Sequence, residues 1–176
     1  MAEPLKNIYT EDLIGNFAAK VKQAYPAFDK EAFIGFVINE AWPSMELKQR
    51  MRHITLSLGR TLPADYREAI RILSSIEEDC RGFAYLFFPD FVEVYGLDDW
   101  DTSMTALARF TIGSSAEFAV RPFIVKDRER MMAQMRAWAE HDNHHIRRLA
   151  SEGCRPRLPW GMVLHELKAE PAPILP

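Results

Sequence analysis

Apolar side chains recur at every third or fourth position along most of this chain, in stretches opened by Thr, Ser, Asp or Asn and closed by Pro or Gly. That period gathers them on one face of a helix, whereas a half-buried strand needs strict alternation, which is missing. Thr10 is placed to cap a helix carrying Leu13, Phe17, Val21 and Ala24, which Pro26 ends. Asp29 opens the next, with Phe28 and Phe33 spaced as a hydrophobic staple across the cap. A third runs from Ser44 through Leu47, Met51, Ile54 and Leu58 to Gly59, and a fourth begins at Pro63 with Tyr66, Ile70, Leu73 and Ile76 inward.

The stretch CRGFAYLFFPDFVEVYGLDDW, 80–100, is aromatic and broken by Pro89, and a short helix over about 88–96 fits it. Its aromatics read as core. Asp101 opens a helix ending at Gly113, and SSAEFAVRPF follows. There Ser114 and Glu117 have capping-box spacing, and Pro122 falls inside the expected helix, beside Arg121. Asp127 and Asn143 cap two more helices, the first with Met131, Met132, Met135 and Trp138, the second ending at Gly153. Pro159 is expected to start a last helix, Trp160 to Leu167. Short turns between such helices force antiparallel hairpins, so the chain reads as an all-α solenoid, a single helical-repeat domain over 1–176. A partial repeat is visible in Leu62-Pro63 and Leu158-Pro159.

The net charge of −3 hides a polarity. Residues 77–101 hold eight acids and one base, Arg81, while residues 105–160 hold ten bases and six acids. Partner choice follows such local fields more than the sum. Within 141–160, HDNHHIRRLASEGCRPRLPW, Arg147, Arg148, Arg155 and Arg157 suggest a positive wall suited to phosphate, since guanidinium keeps its charge and offers a planar fork of donors. Glu152 lies inside that wall, where neighbouring cations hold a carboxylate ionised. It serves either as an i,i+4 partner of Arg148 or as a negative charge facing something cationic. The histidines His141, His144 and His145 lack the acid partners of a metal site, and no metal or cofactor is expected.

TIGSSAEFAVRPFI together with WAEHDNHHIRRLASEGCRPRLPWG closely resembles the AlkC-type alkylpurine DNA glycosylases of the AlkC/AlkD superfamily of HEAT-like repeat proteins. MAEPLKN and MELKQRMRHITLSLGRTLPADY are similar to that family too, so the resemblance spans nearly the whole chain. It implies a solenoid whose concave basic face grips damaged DNA and a hydrolase that excises cationic methylated bases of the 3-methyladenine type. It also implies that Glu117 and Glu152 carry the chemistry, with Arg121, Arg147, Arg148, Arg155, Arg157 and Trp160 at the DNA. Proteins of this type continue through further repeats, where a later acidic residue completes the site. The chain stops at Pro176 without it, so on this resemblance it is expected to correspond to an N-terminal portion, either a fragment or a shortened relative.

Two other readings stand beside base excision. One is a non-catalytic binder of distorted or damaged DNA, with Glu117 as a cap and Glu152 as a salt-bridge partner. The other is a protein-interaction scaffold using the acidic 77–101 belt. No stretch approaches the ~18 apolar residues of a membrane span, the start MAEPLKNIYTED has no secretory pattern, and two distant cysteines form no CxxC. These features suit a cytoplasmic protein.

Overall fold

The computed structural model describes residues 4–174, so the first three residues of MAEPLKN and the last two of EPAPILP lie outside the described residues. Among the described residues ten α-helices follow one another: α1 Glu11–Ala24, α2 Lys30–Val37, α3 Leu47–Thr61, α4 Tyr66–Ile76, α5 Phe87–Tyr95, α6 Trp100–Gly113, α7 Arg121–Lys126, α8 Arg128–Ala139, α9 His144–Gly153 and α10 His165–Ala169. Single 3-10 turns link several of them, and the described residues contain no strand. Neighbours in sequence are mostly neighbours in space, as in a helical-repeat solenoid: α1 packs on α2, α2 on α3, α5 on α6, α7 on α8 and α8 on α9. Longer steps, α3 on α5, α1 on α4, α4 on α6 and α6 on α9, tie the hairpins together.

Local chemistry sets most of the helix starts. The side chains of Thr10, Asp29, Asp65, Asp127 and Asn143 each accept a backbone N–H from the first turn that follows. Phe28 and Phe33 are both fully buried, with ring centroids 5.5 Å apart, as a staple requires. The aromatic run supplies core, as its composition suggests: Phe87 and Phe88 pack against each other and against Phe17, and Phe88 meets Phe110 edge-on.

Several boundaries differ from expectation. α3 starts at Leu47 instead of Ser44 because Glu46 and Gln49 form a reciprocal capping box. It runs through Gly59 to Thr61, and α4 waits for Asp65 instead of starting at Pro63. Asp99, not Asp101, caps α6. No helix opens at Ser114. Residues 117–120 form a turn, so Pro122 falls in the first turn of α7, where its missing N–H costs nothing. Residues 155–164 likewise form an irregular loop in place of the expected helix from Trp160.

The acidic belt is largely cross-braced. Arg109 reaches Glu77, Arg52 joins Asp90 and Glu93, Lys126 meets Asp98, and Arg67 meets Asp99, each base coming from a different helix than its acid. Asp90 is only 2% exposed, and burial first of all raises its carboxyl above the usual range. Glu93 is raised by burial and then by Asp90.

Candidate nucleic-acid interface

Three segments meet around an open hollow of about 520 Å³: the 82–86 turn, the 112–118 stretch and the α9 face with its following loop. Glu117, His145, Arg148, Glu152 and Trp160 all line it. The two glutamates expected to carry chemistry therefore share one cavity although thirty-five positions separate them in the chain. On α9, His145, Arg148 and Glu152 are spaced i, i+3, i+7, so one helical face points all three inward, while Ile146, Leu149 and Gly153 are buried toward the core.

Glu117 is nearly enclosed, at 4% exposure. Its Oε1 accepts from both Nε and Nη2 of Arg148, each at 3.0 Å, and its Oε2 accepts from Ser115 Oγ. The capping box expected of Ser114 and Glu117 does not form, and Ser114 Oγ has no partner among the described residues. Because Arg148 turns to Glu117, the i,i+4 pair of Arg148 with Glu152 is not made either. Glu152 stays partly exposed, with Arg155 Nη2 at 3.9 Å.

The other expected DNA contacts divide sharply. Arg121 has no exposed surface, and its guanidinium donates to the carbonyls of Gly153, Arg155, Pro156 and Met162. It cannot meet a phosphate from there; it fixes the path of the loop after α9. Burial lowers its pKa from the ordinary guanidinium value. Arg147 lies outside the hollow and donates from Nη1 to the carbonyls of His141 and Asp142, both at 2.8 Å. Arg155 and Arg157 are exposed on the loop beside the hollow.

Trp160 is 59% exposed and is the only described non-glycine residue with positive φ, at 61°. A bulky side chain in that region is strained and persists only where the surroundings fix it. Arg121 supplies part of the fixing, and Lys48 on α3 adds to it, donating from Nζ to the Trp160 carbonyl at 2.7 Å while lying 4.8 Å from the Phe118 ring centroid. Sequence reasoning missed Lys48, Ser115 and His145. Lys48 and Ser115 left no local signal, but the His145, Arg148, Glu152 spacing was there to be read. Arg81 is the other addition. Its neighbour Gly82, at φ 105°, donates its N–H to the Gly113 carbonyl, which brings the one base of the acidic segment to the hollow's edge.

An all-α HEAT-like solenoid with a carboxylate-bearing hollow at its surface is the class these features define. Over 97% of its length the chain superposes, with a TM-score of 0.93 and 39% identity, on a solved structure of Pseudomonas fluorescens alkylpurine DNA glycosylase AlkC bound to DNA containing an abasic site analog, covering 48% of that chain. It is also 50% identical over 172 residues to an uncharacterized protein of Bacillus subtilis strain 168, YhaZ, covering 98% of this chain and 48% of that protein. No family profile matches. In fold and sequence the chain is AlkC-like along nearly all of its length, and it spans about half the length of both relatives. Among the described residues, no helix is long and apolar enough to cross a membrane.

Proposed function

We propose that this chain acts in DNA alkylation repair, as a single helical-repeat unit that binds damaged duplex and releases cationic alkylated bases of the 3-methyladenine type. The observation that carries this is the convergence of Glu117 and Glu152 on one hollow, in a chain similar to an alkylpurine DNA glycosylase. A purine methylated at N3 or N7 is positively charged while it is bound to the sugar, so breaking its bond to C1′ returns the electron pair to the base and leaves it neutral. The positive charge passes to an oxocarbenium-like sugar. A water then adds at C1′ and gives up a proton. No general acid is needed; fixed negative charge beside the developing cation and an oriented water are what lower the barrier. Glu117, anchored by Ser115 and Arg148, supplies a carboxylate of fixed orientation. Glu152, partly exposed and with one distant arginine, is the one free to hold the water.

Phosphate contacts in this reading fall to Arg155 and Arg157, with Trp160 against sugar or backbone, and Arg148 at the inner edge. Contacts of that kind position the protein without reading sequence. Base release from a methylated duplex is the test, with Glu117→Gln and Glu152→Gln beside the wild type. Each substitution should slow release by roughly 10²–10³-fold, the usual effect of removing one electrostatic catalytic group. Unchanged rates in both variants would refute the assignment.

A second reading, a non-catalytic binder of damaged DNA, has its own support in the complete engagement of both Glu117 oxygens by Ser115 and Arg148. Duplex binding by the wild type with no base release selects it. The acidic-belt scaffold has less support, because most of the acids in 77–101 are paired within the fold.

A further inference from the structure

The ionisable side chains lining the hollow are Glu117, His145, Arg148 and Glu152. Two carboxylates against one guanidinium leave one net negative charge when the imidazole is neutral and none when it is protonated. We propose that His145 sets the charge of the guest: the hollow takes a monocationic base or sugar while the imidazole is neutral and loses that preference once it is protonated. This rests on the reading of the hollow as the DNA site, and it names the property by which a cationic lesion is told from an ordinary base.

His145 is built into the site. Its backbone N–H is held by Asn143 Oδ1 at 2.9 Å, its ring lies 4.0 Å from that of His144, and Arg148 follows one turn later on the same face. The charged groups around it are His144, Arg148 and Glu152 from its own helix, Arg81 from the connection before the 82–86 turn, and Glu117 from the 114–120 stretch. Burial, then the charges of His144, Arg148 and Arg81, push its pKa below the usual imidazole value, which leaves it neutral at pH 7. Among the side chains lining the hollow, an imidazole is the type whose charge changes nearest neutral pH, and His145 supplies it.

The test uses the full chain and two duplexes of one sequence, carrying at the centre either a cationic pyrrolidine abasic analogue or a neutral tetrahydrofuran one. The ratio of their affinities cancels the phosphate contacts and reports only the preference for a cation. For the wild type the ratio should be highest above pH 7 and fall on the order of tenfold toward pH 5, the effect of one added charge a few ångströms away at a partly wetted surface. His145→Gln should hold a high ratio that falls far less toward pH 5 than in wild type, since only His144, outside the lining, then remains as a nearby imidazole, and His145→Lys a low one throughout. A wild-type ratio that does not change with pH overturns the proposal without any variant being needed, and so does a parallel fall in His145→Gln. Base release measured alongside separates the two claims. A pH-dependent ratio without release removes the catalytic reading and keeps this one, release with a flat ratio removes this one alone, and failure to bind either duplex overturns both.

Discussion

Replacing Arg121 with Met tests whether this arginine is a structural clamp or a phosphate contact. Met preserves most of the side-chain length and volume, so the change removes donors while largely keeping the packing. Four carbonyls lose a partner: those of Gly153, Arg155, Pro156 and Met162. Pro156 keeps a second donor, the Leu164 N–H at 3.0 Å, and Arg155 and Met162 lie on exposed residues where water can substitute. Gly153 is buried and has no such recourse. An unsatisfied buried carbonyl costs about 1–3 kcal/mol, and hydrogen bonds from a charged donor contribute about 1.5–3 kcal/mol each. Relief from burying a cation offsets part of that. The net expected loss is about 2–4 kcal/mol, a drop in Tm on the order of 10 °C for a domain of this size. Chemical and thermal unfolding measure it, and limited proteolysis should show new cleavage within 154–163. An unfolding curve matching wild type, with weaker and less salt-dependent DNA binding, would mean that Arg121 meets phosphate after all and that the clamp is misread.

Two further outcomes follow from packing and from buried charge. A Cβ on Gly153 would stand 2.7 Å from Val120 Cγ2 and 3.2 Å from Met135 Cε, so Gly153→Ala should destabilise by about 1–3 kcal/mol through overpacking where α9 meets α8, read by denaturant unfolding. Asp90 and Glu93 have folded-state pKa values raised chiefly by burial, so the folded chain binds extra protons above the unfolded carboxylate range. The stability they contribute is complete below that range and is lost as pH rises through the raised values. Unfolding free energy followed across this window should decline less steeply in Asp90→Asn than in wild type, and parallel curves would contradict the assignment.

What could be read in the sequence was the chemistry that acts within a turn of helix. Thr10, Asp29, Asp127 and Asn143 cap helices where their spacing said they would, because a capping side chain needs only the N–H two or three residues ahead. The short helix around Pro89 was equally visible. Partners distant in the chain were not. Ser114 and Glu117 have capping-box spacing, yet Glu117 is drawn to Arg148, thirty-one positions away, and no helix forms around the pair. The same attraction removes Arg148 from Glu152, its local i,i+4 partner. Arg121 gave no sign of burial, since an arginine beside a proline reads as surface until the carbonyls that surround it are folded into place. The site residues Glu117 and Glu152 were reached through resemblance, and their meeting in one hollow needed the fold.

The stretch that presents Trp160 is gripped through its peptide oxygens, by Arg121 and Lys48, with the buried Leu164 side chain anchoring the end of the loop. A carbonyl is the same whichever residue bears it. The path of this loop is thus insulated from its own spelling, and positions such as Arg157 and Met162 can be exchanged while the backbone trace is kept. That makes the segment a natural place for selection, or for an engineer, to retune what the hollow admits without rebuilding the scaffold beneath it.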